Sequence, residues 1–476
     1  MREQPWRRFV LAYSICADDL RAHYFDRSGL ILSLPTPIHK FPIRVTEAIA
    51  STALADPQHL GLDPTIHMCI ADCQGTHSSL AVGAKGWVVN NSGKTYSIMD
   101  VLWKSQGFFC RGTVCYRIRD PDDGKDYAMK DCWVPEAKRY HEVNVLERVK
   151  GIPNVVQLVD HWDVMYDGQP DCTARIRERY QRSDPDDRGD HRFCNRFHRR
   201  LVMTPCGDPL SDFGSRKELI CAFRDFVIAH RLMIECGVLH GDLSPNNFII
   251  HEGIGYFIDF DHAGFIEEGK ACTVSFGTGT IPYISMRVLK MMSKNAETHY
   301  AHDDLESMFY IFCEFVSKYG GAHGLVAPTW DKLAMPWSEA YENLGVSGLL
   351  TTFLSKKGAI SEDDFLMDRV SEYFSEFKPL VNEWRSQIHL TEINTEKTII
   401  HDHILQILVT FIAKLEDETP IPTPIPIPIP AQPHPRPQSH IPQPTAGPST
   451  LPRTGTTWPS TNQPGPRRSQ RLTRRT

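Results

Sequence analysis

The stretch Val238-Leu239-His240-Gly241-Asp242-Leu243-Ser244-Pro245-Asn246-Asn247, with Asp259-Phe260-Asp261 beginning twelve residues after Asn247, constrains this chain more than any other. An Asp and an Asn five residues apart on a tight loop, with a second Asp ending a nearby apolar run, are the groups that phosphoryl transfer needs. Asp242 is placed to accept the proton of an attacking hydroxyl. Asn247 and Asp259 are placed to hold magnesium ions that bridge nucleotide phosphates. Their oxygens are hard ligands, which suit magnesium and not a soft metal. Either turn alone is ordinary local structure; both in this order, each after an apolar strand, are not.

Such chemistry needs a cation on the phosphates. Asp126-Tyr127-Ala128-Met129-Lys130-Asp131 reads as a short alternating strand near whose end Lys130 stands. A strand lysine is usually a solvated edge charge, but here an acidic partner follows at helical distance. Glu142 opens a run in which Val143, Leu146 and Val149 recur every three residues, the pattern of an amphipathic helix. Glu142 is expected to pair with Lys130 and orient it, with Glu147 as the competing candidate. The phosphate-covering segment is thinner. Phe109-Cys110-Arg111-Gly112-Thr113-Val114-Cys115 holds one glycine, Gly112, where a G-x-G-x-x-G loop has three, so the turn should be stiffer and its fit to phosphate looser.

Further on, Gly279-Thr280-Ile281-Pro282-Tyr283-Ile284-Ser285 resembles the substrate-side loop that closes a protein-kinase activation segment. Ala301-His302-Asp303-Asp304-Leu305-Glu306-Ser307 resembles the buried helix start of casein-kinase-like enzymes. Asp304 is expected to cap that helix and to hydrogen-bond the catalytic-loop backbone. Together these words resemble the fungal-type protein kinase domain, a branch of the protein-kinase-like superfamily. The resemblance is carried by Arg111-Gly112-Thr113, Met129-Lys130-Asp131-Cys132-Trp133, His240-Gly241-Asp242-Leu243-Ser244, Gly279–Tyr283 and Asp303–Ser307. It runs to about residue 415 and includes Arg7-Arg8-Phe9-Val10 and Gly61–Ile66, so the first residues already lie inside it. A native protein that extends further upstream is therefore expected. The resemblance implies ATP-dependent Ser/Thr phosphorylation of protein substrates that it leaves unspecified, with ATP and Mg2+ as cofactors.

Four positions depart from the general kinase pattern. Gly241 replaces the Arg of HRD, Ser244 the Lys two residues after the catalytic Asp, Asp261 the Gly of DFG, and Arg287 the Glu of APE. Gly241 and Asp261 are typical of this branch. Ser244 removes a positive charge near the transferred group, which slows chemistry unless another cation compensates. Arg287 inverts a charge of a buried ion pair, so that pair must be absent or rebuilt. Gly241 offers no side-chain donor, so a phosphate on Thr273, Ser275, Thr278 or Thr280 would lack its main partner. Activation-segment phosphorylation is not expected to switch the protein on.

The chain has 476 residues, enough for two lobes with accessory segments, and 41% hydrophobic content suits packed cores. Thirteen cysteines with no CxxC pair argue against a zinc site and for reduced thiols in the cytoplasm or nucleus. No signal peptide and no run of about twenty apolar residues is present, so no membrane span is expected. The net charge of −6 is split, with seven arginines and no acids after Glu418 against a body near −13. That acidic body gives no electrostatic reason to bind nucleic acid. Proline stands at every second position from Pro420 to Pro430, which favours extended polyproline II, and a basic cluster ends the tail at Arg467–Arg475. An import receptor and a proline-recognition domain are the partners such a tail suits.

The expected fold is α+β: a bilobal protein-kinase-like fold with an N-terminal accessory segment and a disordered Pro-rich C-terminal tail. Residues 1–95 form the accessory segment, 96–206 a small lobe with a polar insertion at 165–200, 207–418 a large lobe and 419–476 the tail. The small lobe is expected to hold a five-stranded sheet and one main helix. Phe9–Cys16 and Arg21–Leu34 read as a strand pair, the second run turning at Asp26–Gly29, and Ile43–Ala55 as a helix. His191 and His198 read as exposed loop residues. The stripe Leu219, Ile220, Phe223, Phe226, Val227, His230, Met233 and Ile234 reads as the core face of a long helix, with His230 at its edge and no assigned chemistry. Two rivals stand beside the protein kinase. One is a small-molecule phosphotransferase of the aminoglycoside or choline kinase type, which the Gly279–Ser285 loop opposes. The other is an ATP-binding pseudokinase scaffold, which retention of Lys130, Asp242, Asn247 and Asp259 opposes.

Overall fold

The computed structural model describes residues 4–69, 80–105, 107, 110–178, 193–266, 272–273, 279–292, 298–338, 346–393 and 397–416. Phe109, His191, Ser275, Thr278 and the tail from residue 419 lie outside these residues, as do the side chain of Thr273 and residues 179–192 of the insertion.

Mixed helix and sheet of the α+β kind make up the chain. At its start, strands Val10–Cys16, Asp19–Asp26 and Gly29–Leu32 pair antiparallel, with Thr36–Pro37 bonded to the second of them. The helix Pro42–Leu54 follows, opened by a proline whose missing N–H costs nothing in a first turn.

The main sheet has seven strands and not five. Their order is Gln157–Asp163, Arg196–Thr204, Asp126–Pro135, Val114–Arg119, Thr95–Lys104, Gly86–Val89 and Ile66–Met68, each antiparallel to its neighbour. The two extra strands come from the N-terminal segment and extend the sheet beyond Thr95–Lys104. Val88, Ile98, Tyr116, Ile118, Met129 and Val202 bury one face of this sheet. The helix His141–Arg148 brings Val143, Val145 and Leu146 into the core that continues through the helical part of the chain.

The polar run read as loop through residue 200 ends sooner, because the strand begins at Arg196. His198 is consequently not an exposed loop residue: it is 2% exposed, with its Nε2 2.5 Å from Asp131 Oδ1. Arg200 bonds Asp131 at 3.1 Å and also Asp63, while Arg8 holds Asp171 at 2.7 and 2.6 Å. Polar residues thus form a buried strand through mutual neutralisation, which an apolar alternation pattern cannot register.

The helical part is built on Arg216–Glu235, whose N-cap Ser215 accepts from Glu218 N, and on Ala301–Lys318. The first contributes Leu219, Phe223, Phe226 and Met233 to the core; the second is buried along most of its length. Helices Val346–Ser361, Lys378–Ile393 and His401–Ile412 pack around this pair, with Trp384 fully buried. The N-terminus of Ala301–Lys318 corrects one expectation. Asp303, not Asp304, accepts from the capping Tyr300 N–H, at 2.8 Å. Asp304, one residue further round the turn, accepts from the Gly241 N–H on the loop after Val238–Leu239. Among the described residues no helix is long and apolar enough to cross a membrane.

Candidate active site

Strand alternation turns Met129 into the sheet core and Lys130 to the opposite face. Lys130 is 4% exposed, and its Nζ lies 2.7 Å from both carboxylate oxygens of Glu142 and 2.7 Å from Asp259 Oδ1. Asp261 Oδ2 is also within 3.0 Å. Glu142 is buried on the first turn of its helix, whereas Glu147 is exposed and pairs with Lys150 at 3.4 Å. Burial by itself pulls the Lys130 ammonium towards neutrality; Asp259 and Glu142 outweigh it, so the group stays charged, above its ordinary range. Burial also pushes the neighbouring Cys115 and Cys132 thiols up to about 12, which leaves both protonated and unreactive.

Asp259 adopts a left-handed conformation, φ 62° and ψ 70°, between the strand Ile254–Phe257 and a short 3-10 turn. The bend sends Phe260 into the core against His240, ring centroids 5.1 Å apart, and leaves the Asp259 carboxylate about a third exposed. Asp242 is buried on the loop after Val238–Leu239, and Thr280 Oγ1 donates to its Oδ1 at 3.2 Å. A 3-10 turn, Pro245–Asn247, places Asn247, whose Oδ1 accepts from the Ser244 hydroxyl. The residue standing in for the missing lysine therefore orients the amide. At Gly241, φ is 70° and the N–H donates to Asp304 Oδ2 at 3.1 Å.

Gly112 has φ 56°, and a Cβ there would come within 2.3 Å of the Arg27 guanidinium carbon. Arg27 sits in the turn between two N-terminal strands, buried, donating to Pro5 O at 2.9 Å. The lone loop glycine is thus explained by close approach of the N-terminal segment as well as by backbone conformation.

Sequence reasoning missed two members of the site. Arg111 forms an ion pair with Asp261, and Asp261 stands beside Lys130. The Asp-Phe-Asp spelling was the available signal for Asp261; Arg111 stood in the Arg111-Gly112-Thr113 word without a role of its own. Oxygens of Glu142, Asp259 and Asp261 lie within 4.8 Å of one another, close enough to share a cation. Lys130 already holds all three carboxylates, so Asp259, the member most open to solvent, is the one left to offer a hard oxygen to magnesium. Asp63, Asp131 and His198 also converge, but Arg200 already holds both carboxylates.

Residues 1–316 match the family described as fungal protein kinase. The chain belongs to that family. The match is shorter than the resemblance read to about residue 415, so the helices beyond residue 316 lie outside it. No curated protein matches the chain. Membership makes the protein a kinase-type phosphotransferase, and ATP with magnesium is what such a family implies in general.

Proposed function

We propose that this fungal protein kinase transfers the γ-phosphate of ATP to Ser or Thr hydroxyls of proteins, in a cleft between a sheet-rich and a helical lobe. The observation that carries the reading is the burial of Lys130 in contact with Glu142 and Asp259 together. A lysine held this way costs desolvation that a purely structural role does not require. In this reading Lys130 binds nucleotide phosphates and Glu142 orients it. Asp242 takes the proton of the acceptor hydroxyl and Asn247 with Asp259 holds magnesium. Magnesium would supply charge neutralisation of the phosphates. Gly112 keeps the covering loop close to the nucleotide.

The Thr280 contact to Asp242 favours a protein hydroxyl as acceptor, because the loop Gly279–Ser285 then abuts the base. The positive charge that Ser244 lacks would be supplied by Arg111, which is brought to Asp261. Purified protein with radiolabelled ATP and magnesium, offered generic proteins and separately amino-alcohols, tests the reading. Label on serine and threonine of protein supports it, and label on amino-alcohols moves it to a small-molecule kinase. Nucleotide binding without turnover would make the chain a scaffold.

A further inference from the structure

Asp304 Oδ2 receives two hydrogen bonds, from Gly241 N–H at 3.1 Å and from His230 Nε2 at 3.2 Å. The other nitrogen of His230, Nδ1, lies 2.8 Å from Nε2 of His401, with the rings 5.1 Å apart. His230 and Asp304 are buried, and His401 opens the helix His401–Ile412, beyond the residues of the family match. That helix is seated by Ile404, Ile407 and Leu408 in the core it shares with Arg216–Glu235.

The carboxylate of Asp304 only accepts, so His230 Nε2 carries a proton, which sets the orientation of the ring. Its Nδ1 is then a buried polar atom that needs a partner, and His401 supplies it. Gly241 has no side chain with which to brace its positive-φ bend and relies on its backbone amide bond to Asp304. A swing of that carboxylate would pull on the His240–Gly241 peptide, one residue before Asp242. Burial, then His230 and Arg231, push His401 down to about 3, so it is uncharged near neutral pH. Around the chain of bonds, Arg231 is tied to Asp402 at 3.0 Å, and His240 and His299 lie near Asp304.

We propose that His401 and His230 are positioning residues that act through Asp304 to hold the catalytic loop at Gly241, so that a C-terminal helix outside the family match helps to place Asp242. The consequence for turnover rests on the kinase reading; the consequence for the loop does not.

His401→Met and His401→Gln separate this from simple packing, since the two are close in size and only the Gln amide can bond His230 in either direction. In the Met variant kcat should fall roughly tenfold, about 1.4 kcal/mol of barrier, with KM for ATP little changed, and Gln should restore most of it. Hydrogen exchange at the Gly241 amide should quicken in Met and not in Gln, while exchange across Leu219–Phe226 stays as in wild type. Unchanged exchange at Gly241 in the Met variant, or equal acceleration by Met and Gln, overturns the proposal. An inactive wild-type protein would overturn the kinase reading, and the exchange comparison would still decide this one.

Discussion

Arg287 holds Asp303 through Nε, 3.0 Å from Oδ1, and through Nη2 to Oδ2, while Nη2 also donates to Thr298 O at 2.7 Å. The charge inversion read at this position is thus met by a rebuilt pair of opposite polarity, with Ser285 adding a hydroxyl to the same Asp303 at 2.6 Å. Beside it Lys356 Nζ donates to Ile284 O at 2.6 Å and ties the substrate-side loop to the helix Val346–Ser361. Arg287 is therefore committed to Asp303 and Thr298 and does not offer an open guanidinium to a phosphate on the activation segment. Phosphatase treatment of active protein should change its rate by less than about tenfold, or roughly 1.4 kcal/mol of barrier. A larger loss would show that another cation reads the segment.

Asp242→Asn should remove the base and leave stability near wild type, with a rate loss of at least about a hundredfold. Lys130→Met is a different case, because it removes the buried cation that Glu142, Asp259 and Asp261 share. It should abolish turnover and also lower stability by about 3 kcal/mol. Chemical denaturation of both variants next to wild type checks the contrast.

Glu142 and Glu147, five residues apart, should behave differently when each is changed to Gln. Glu142→Gln loosens Lys130 and should cost roughly tenfold in kcat/KM, about 1.4 kcal/mol. Glu147→Gln, exposed and outside the site, should leave kinetics as they are. Equal losses would remove Glu142 from its assigned role.

Gly112→Ala should destabilise the protein by about 1–3 kcal/mol, from strain at positive φ together with the approach of Arg27. Combining it with Arg27→Ala should recover part of the loss, since one source of crowding goes with the guanidinium. Additive losses in thermal unfolding of the double variant would locate the cost in the backbone alone.

Two histidines set opposite pH limits on stability. For His198, burial lowers the pKa but Asp131 outweighs it, raising the group to about 9. Its contribution is complete below the unfolded value near 6.5 and is lost as pH rises to about 9. His401, depressed to about 3, contributes nothing adverse above 6.5, but the unfolded chain gains a proton below it and stability falls towards acid. Melting temperature should therefore peak near pH 6.5–7 as far as these two groups decide it, and His198→Asn should flatten the alkaline side.

The motifs that make up the candidate site were legible because each is local. His240 to Asn247 and Asp259 to Asp261 keep fixed spacing on short turns, and Lys130 follows strand alternation. Glu142 could be preferred over Glu147 because Leu146 and Ile152–Val156 then fall where kinase helices meet the next strand. What was not legible depends on pairs far apart in sequence. His198 looks like a loop residue until Asp131 is beside it, His230 like a core edge until His401 meets it, and Arg111 like a turn residue until it reaches Asp261. The strands Ile66–Met68 and Gly86–Val89 are short, and their pairing partners rather than their composition make them strands.

Those two strands lie against the free side of Thr95–Lys104, which would otherwise present a row of unpaired amides and carbonyls. A fragment cut to the catalytic motifs alone, beginning near residue 96, would expose that edge and also leave Asp171 and Arg200 without Arg8 and Asp63. Exposed edges recruit strands from other molecules. For this chain, aggregation of such a fragment would say nothing about its catalytic residues, and the smallest piece worth expressing carries the N-terminal strands with it.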